Sequence, residues 1–170
     1  MSGESSATAG CVLAVIALGS NLGDREATLE RAVVALDGLP ESSIQAVSSW
    51  HGSVALTLDG PDPEKPAYLN GVALLQTGLD PAALLSSLRR IELEHGRERD
   101  ERWGDRTLDL DIITYGELLI MTPDLTVPHP RAHERDFVLV PWLEVQPDAE
   151  LPGHGRVAEL ARVLREGGVS

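Results

Sequence analysis

The order of its hydrophobic periodicities constrains this chain most. Short apolar runs occupy Val12 to Leu18, Ile44 to Trp50, Tyr68 to Thr77 and Thr107 to Tyr115, and two of the intervening segments carry apolar residues at helical spacing. In the first, Asp24 can cap a helix in which Leu29, Ala32, Val33 and Leu36 recur at i, i+3, i+4, i+7, and Gly38 and Pro40 end it. In the second, Asp80 is an N-cap followed by proline at the first helical position, and Leu84, Leu88 and Ile91 mark one face to about His95. The resulting β-α-β-β-α-β order predicts an α+β, ferredoxin-like fold: an antiparallel sheet with flanking helices in a single domain.

The remaining segments read as additions. Val54 to Leu58 could extend the second strand, and Asp59 to Pro63 with Pro66 is a loop. Gly96 to Asp105 is charged and aperiodic, which predicts a mobile loop. Pro123 to Pro130 is an irregular connection, followed by a short helical turn, a last strand at Phe137 to Trp142, and a terminal helix over Val157 to Arg165. Residues 1–10 read as a disordered tail and 11–170 as the domain.

Charge narrows the function classes. The chain of 170 residues carries a formal net charge of −13, against the basic footprint that nucleic-acid binding requires. Yet six of its thirteen arginines fall between Arg89 and Arg106. A cationic pocket in an acidic protein points to a small anionic ligand. No run approaches a membrane span, and the start lacks the basic n-region of a signal peptide. Cys11 is the only cysteine, so an internal disulfide is impossible, which fits a reducing cytoplasm.

The segment Arg102-Trp-Gly-Asp-Arg-Thr-Leu-Asp-Leu-Asp-Ile-Ile113 carries the chemistry. Side chains alternate along a strand, so Leu108, Leu110 and Ile112 face the core while Asp109 and Asp111 share the other face, about 7 Å apart. Alone, such a pair reads as a hydrated surface strand rather than as a metal site. Arg97, Arg99, Arg102 and Arg106 lie in or beside the segment entering this strand, and guanidinium forks match phosphate oxygens. Carboxylates beside an arginine cluster suggest a polyphosphate held with Mg²⁺, which takes one or two carboxylates plus phosphates and water. Two such ions can clamp the attacking and leaving oxygens of phosphoryl transfer.

Six motifs occur in order: Gly-Ser-Asn-Leu-Gly-Asp at 19–24, Tyr-Leu-Asn at 68–70, Gly-Arg-x-Arg at 96–99, Arg-Trp-Gly-x-Arg-Thr-Leu-Asp-Leu-Asp-Ile at 102–112, Leu-Thr-Val-Pro-His-Pro-Arg at 125–131 and Arg-x-Phe-Val-Leu-x-Pro at 135–141. Together they resemble the 6-hydroxymethyl-7,8-dihydropterin pyrophosphokinases of folate biosynthesis, over about residues 12 to 152. The resemblance implies transfer of the diphosphate of ATP to the pterin hydroxymethyl group, releasing AMP, by a monomer that binds small molecules rather than nucleic acid or membrane. It implies that Asp109 and Asp111 hold two Mg²⁺ ions and that Arg97, Arg99 and Arg106 contact the phosphates. Glu92, Ile112, Thr126, His129 and Arg135 would serve ATP together with Arg97 and Arg106. Ser53, Leu56, Tyr68, Asn70, Trp103 and Phe137 would form the pterin pocket, with Trp103 closing over it.

The pattern breaks at four places. Asp105 replaces a usual proline, Ser53-Val54 followed by an atypical Ala55–Lys65 replaces a Thr-Pro loop, Asp124 stands where some members place arginine, and Arg89 stands where some use glutamine against adenine. The competing readings are a non-catalytic pterin- or nucleotide-binding protein, a metal-dependent phosphohydrolase using the same Asp pair, and an RNA-binding module on a ferredoxin-like scaffold.

Overall fold

The computed structural model describes residues 11–20, 25–53, 56–57, 60–61, 68–95 and 108–167. The expected tail at 1–10, the cap at Asp24 and the loop Gly96 to Asp105 lie outside the described residues.

The first half of the chain runs β1 (Val12–Ser20), α1 (Arg25–Asp37), β2 (Ser42–Val47), β3 (His51–Ser53), β4 (Leu56–Thr57), β5 (Gly60–Pro61) and β6 (Tyr68–Thr77). Then come α2 (Pro81–His95), β7 (Asp109–Tyr115), β8 (Ile120–Met121), β9 (Thr126–Val127), a 3₁₀ turn at Ala132–Glu134, α3 (Asp136–Val145), β10 (Glu150–Leu151), β11 (Gly155–Arg156) and α4 (Val157–Gly167). The main sheet has the order β2-β6-β1-β7, entirely antiparallel, and β3 continues alongside β6 where β2 ends. Between β2 and β3 the ladder survives through a side chain: Ser48 N–H donates to Val72 O at 2.9 Å, and Val72 N–H donates to Ser48 Oγ at 3.0 Å.

Each sheet face is covered by one helix pair. Leu29, Ala32 and Leu36 of α1 and Leu84, Leu88 and Ile91 of α2 pack with Ala14, Ile16, Leu18, Leu75, Leu110 and Ile112. Across the sheet, Val138, Leu139 and Trp142 of α3 and Val157 and Ala161 of α4 pack with Val15, Val72, Leu74 and Ile113. Strands β1 and β6 are covered on both faces, which is why their sequences read as nearly continuous apolar runs. Strand β7 alternates instead: Leu110 and Ile112 are buried, while Asp109 and Asp111 are partly exposed toward the α3 side.

Two expectations need correction. Phe137 to Trp142 is not a strand but the body of α3. Its β-branched composition suggested extended structure, but Val138, Leu139 and Trp142 fall on one helical face, which is buried against the sheet. Pro141 also lacks the N–H a ladder needs, so it disfavours an interior strand. The second correction concerns Leu56 and Thr57, within the segment expected to extend the second strand. Leu56 and Thr57 pair instead with Gly60 and Pro61 in a separate small hairpin.

Candidate active site

The register of β1 with its neighbours builds the site. Gly19 stands between Asn70 of β6 and Asp109 of β7, and Ala17 stands between Val72 and Asp111. Residues directly opposite share a face, so two rows cross the sheet: Asn70–Gly19–Asp109 and Val72–Ala17–Asp111. Adjacent strands lie about 4.8 Å apart, which puts Asn70 and Asp109 roughly 10 Å from each other over a floor of small residues.

Above this floor lies a cavity of about 700 Å³ lined by Gly52, Tyr68 and Asn70 on one side, Asp109 and Asp111 on another, and Glu134 to Val138 at the start of α3. The cavity is large enough for a small ligand. Six predicted residues therefore meet in one space: Tyr68, Asn70, Asp109, Asp111, Arg135 and Phe137. Asn70 is 6% exposed, and its amide can present both a donor and an acceptor. The Arg135 guanidinium carbon lies 5.6 Å from the centre of the Phe137 ring, a cation–π contact that brings a positive charge to the apolar wall.

A β-bulge brings His129 toward the carboxylates. The β1–β7 register shifts between Val15 and Ile16, leaving Ile113 unpaired across the ladder, and Ile113 O accepts from His129 N–H at 2.9 Å. His129 Nδ1 accepts from Arg131 N–H at 3.1 Å. Burial pulls the His129 pKa below its usual value of 6.5; Asp111 opposes this, and Arg135 and Arg131 reinforce it. Nδ1 as acceptor and a lowered pKa both describe a neutral ring at pH 7.

Other predicted residues stand elsewhere. Thr126 on β9 is half-buried and does not line the cavity. Ile112 is 3% exposed and belongs to the core on the α1–α2 side. Glu92, 4% exposed, lies behind β7, where its carboxylate accepts from Leu110 N–H at 2.8 Å and from Arg89 at 3.0 Å. Ser53 lies on β3 opposite Tyr68 and Leu56 on β4 opposite Pro61. Arg97, Arg99, Arg102, Trp103 and Arg106 lie outside the described residues.

Sequence reasoning missed the floor and part of the wall. Gly71 has no side chain because Trp50 fills its place: a Cβ there would fall 2.5 Å from the Trp50 ring. Glu134 and Asp136 also line the cavity, and their adjacency to Arg135 and Phe137 was the available signal. A clamp joins two walls: Glu144 of α3 accepts from Ser49 N–H at 2.8 Å and Ser49 Oγ at 2.9 Å, and pairs with His51 Nε2 at 3.0 Å.

The donor set bears on which cation the site suits. Asp109 and Asp111 face one cavity, and no group of three or more His, Cys, Asp or Glu able to hold a metal occurs among the described residues. Two carboxylates facing one cavity fit Mg²⁺, which takes one or two protein carboxylates and leaves its other positions to phosphate and water.

The chain is similar to known proteins over most of its length. A family model described as 7,8-dihydro-6-hydroxymethylpterin-pyrophosphokinase (HPPK) matches residues 15–147. A 2-amino-4-hydroxy-6-hydroxymethyldihydropteridine pyrophosphokinase of Pseudomonas aeruginosa is 46% identical over 145 residues, 85% of this chain and 87% of that protein. The Haemophilus influenzae protein of the same name is 43% identical over 151 residues, 89% of this chain and 92% of that one. Among solved structures, a Plasmodium falciparum HPPK-DHPS superposes with a TM-score of 0.67 at 13% identity, covering 94% of this chain and 47% of its own. An HPPK-DHPS in complex with substrates gives 0.69 at 12% identity, covering 92% and 46%. This chain thus spans about half the length of those solved chains, and at such identities the likeness concerns the fold.

Proposed function

This chain belongs to the 7,8-dihydro-6-hydroxymethylpterin-pyrophosphokinase family, ATP-dependent enzymes that transfer a pyrophosphoryl group to hydroxymethyldihydropterin in folate biosynthesis, and from that premise we propose how its residues divide the work. The observation that carries the assignment of roles is the single cavity shared by Tyr68, Asn70 and Phe137 with Asp109 and Asp111.

The pterin lies over Gly19 against Asn70 and Tyr68, with Phe137 supplying a flat apolar face and Ser53, Leu56 and Trp103 completing the enclosure. Its hydroxymethyl group then points along the Asn70–Gly19–Asp109 row toward the carboxylates. Asp109 and Asp111 would hold two Mg²⁺ ions, which would neutralise phosphate charge and polarise the transferred group. Arg97, Arg99, Arg106 and Arg135 take the phosphate oxygens, and Thr126 and His129, with the backbone rather than the buried side chain of Ile112, frame the nucleotide beyond the cavity's described lining. Neutral His129 donates a hydrogen bond from Nε2 while Nδ1 stays with the Arg131 N–H. The hydroxymethyl oxygen attacks the β-phosphorus in line and gives up its proton to water, the bond from that phosphorus to the α–β bridging oxygen breaks, and AMP leaves. Positioning and preorganised charge supply the rate, with no covalent enzyme intermediate.

We take residues 11–170 to be one domain acting as a cytoplasmic monomer; the lone Cys11 supports a reducing compartment. Among the described residues no helix is long and apolar enough to cross a membrane.

AMP release with ATP, Mg²⁺ and hydroxymethyl-dihydropterin tests these roles. Asp109→Ala and Asp111→Ala should each lower turnover on the order of 10²-fold or more while circular dichroism stays unchanged. Near-normal turnover in both variants refutes the metal assignment.

A further inference from the structure

Among the described residues, strand β7 is an edge of the main sheet, and it carries both carboxylates. An edge strand has ladder bonds on one side only. Backbone polar groups alternate in direction along an antiparallel strand, and in β7 the peptide groups of Leu110 turn away from β1 and toward α2. There Leu110 N–H donates to Glu92 Oε2 at 2.8 Å, Arg89 donates to Leu110 O at 3.1 Å, and the same Arg89 nitrogen donates to Glu92 Oε2 at 3.0 Å. The two side chains stand i, i+3 on α2 and engage both polar groups of one residue, as a neighbouring strand would.

We propose that Glu92 and Arg89 are positioning residues: they brace the outer edge of β7 at the residue between Asp109 and Asp111 and so fix the separation and aim of the two carboxylates. The inference rests on the reading of those carboxylates as the cation site. Glu92 is 4% exposed on the same helical face as Leu84, Leu88 and Ile91, where a carboxylate is costly unless bonded. Arg89, with a side chain 47% exposed, caps it from the solvent side. The brace answers a specific load. Two like charges on alternate residues of an edge strand push each other apart, and a peptide free on one side can pivot to relieve that. With Leu110 tied at both N–H and C=O, the pivot costs two hydrogen bonds. Arg89, which departs from the family pattern, thereby has a task other than meeting the base.

The test uses the full chain with Glu92→Ala, Glu92→Gln, Arg89→Ala and Asp111→Asn. Amide exchange at Leu110 is read by NMR without metal, Mn²⁺ alone is titrated by electron paramagnetic resonance, and steady-state constants come from AMP release. In Glu92→Ala, Leu110 exchange should rise at least ~10-fold. Mn²⁺ affinity and kcat should fall roughly 10–100-fold, the range for partners of metal ligands, with KM for the pterin held within about twofold. Glu92→Gln keeps an acceptor oxygen and should restore exchange protection and Mn²⁺ affinity to within about threefold of the parent, and Arg89→Ala should fall between. Faster Leu110 exchange with unchanged Mn²⁺ affinity and kcat overturns the brace as a positioning device, in Glu92→Ala or, if that variant misfolds, in Arg89→Ala. Failure of the underlying reading looks different: Asp111→Asn itself would leave Mn²⁺ binding intact.

Discussion

Replacing Gly19 by alanine separates the fold of this site from its use. Gly19 has no left-handed φ, so alanine can adopt its backbone without strain. Restricting the unfolded chain then favours the variant by about 0.4–1 kcal/mol. Against this, the new methyl would stand 3.0 Å from Asn70 Oδ1 and 3.5 Å from Tyr68 Cδ2. The amide must yield by a few tenths of an ångström, and the methyl rises from the floor over which the pterin is placed. Two or three ligand hydrogen bonds made by a displaced amide, at ~0.5–1.5 kcal/mol each, come to roughly 1–4 kcal/mol. Gly19→Ala is therefore expected to melt within about 3 °C of the parent, since ~1 kcal/mol moves Tm by 2–4 °C at this size. KM for the pterin should rise about 5- to 700-fold, at 1.4 kcal/mol per decade, with ATP half-saturation little changed. Thermal melting followed by circular dichroism and a pterin titration of AMP release decide it. A variant that melts normally and binds pterin normally refutes the placement over Gly19.

Three further outcomes follow from other parts of the site. His129 titrates below 6.5 because burial disfavours its charge, so its folded pKa lies under its unfolded one; stability from this group is fully present above about pH 6.5 and is lost as pH falls through the folded value. His129→Asn should flatten that loss in urea midpoints measured from pH 7 down to pH 5, and an unaltered slope refutes it. Glu144 is held below the usual carboxylate range by its hydrogen bonds to His51 and Ser49, so its contribution is present above its unfolded pKa of about 4.5 and disappears as pH falls through the lower folded value. Glu144→Gln should reduce the acid sensitivity of the parent between pH 5 and pH 3, seen as a smaller fall in urea midpoint. Gly71→Ala puts a methyl 2.5 Å from the Trp50 ring, an overpacking that should cost about 1–3 kcal/mol and lower Tm by roughly 2–12 °C; a Tm within 1 °C of the parent would show that the ring moves freely.

Layering was legible in this sequence where burial is one-sided or complete. Leu29, Ala32 and Leu36 sit on one helical stripe, and Asp109 and Asp111 alternate with Leu110 and Ile112, because each element meets its core on a known face. The strand expected at Phe137 to Trp142 fails because a helix whose residues are apolar nearly all round hides its period. Phe137-Val-Leu-Val-Pro-Trp142 has no polar stripe to betray the turn of the chain, so β-branched composition misled. Local propensity yielded there to the burial of α3 on the sheet.

The site divides along the same line. Residues proposed to act through a side chain, such as Asn70, Asp111 and Phe137, can be nominated from sequence, by their chemistry or by the motif they stand in. Gly19, Ala17 and Gly71 act by what they lack, and such a residue gains meaning only from register: Gly19 matters because β1 places it between Asn70 and Asp109. Glu92 shows the converse. Its match to the family pattern implied a nucleotide contact, while the topology puts it behind β7, where its carboxylate meets backbone. Residue type thus proposes a role, and strand order decides whether the residue reaches the ligand or acts on the strand that does.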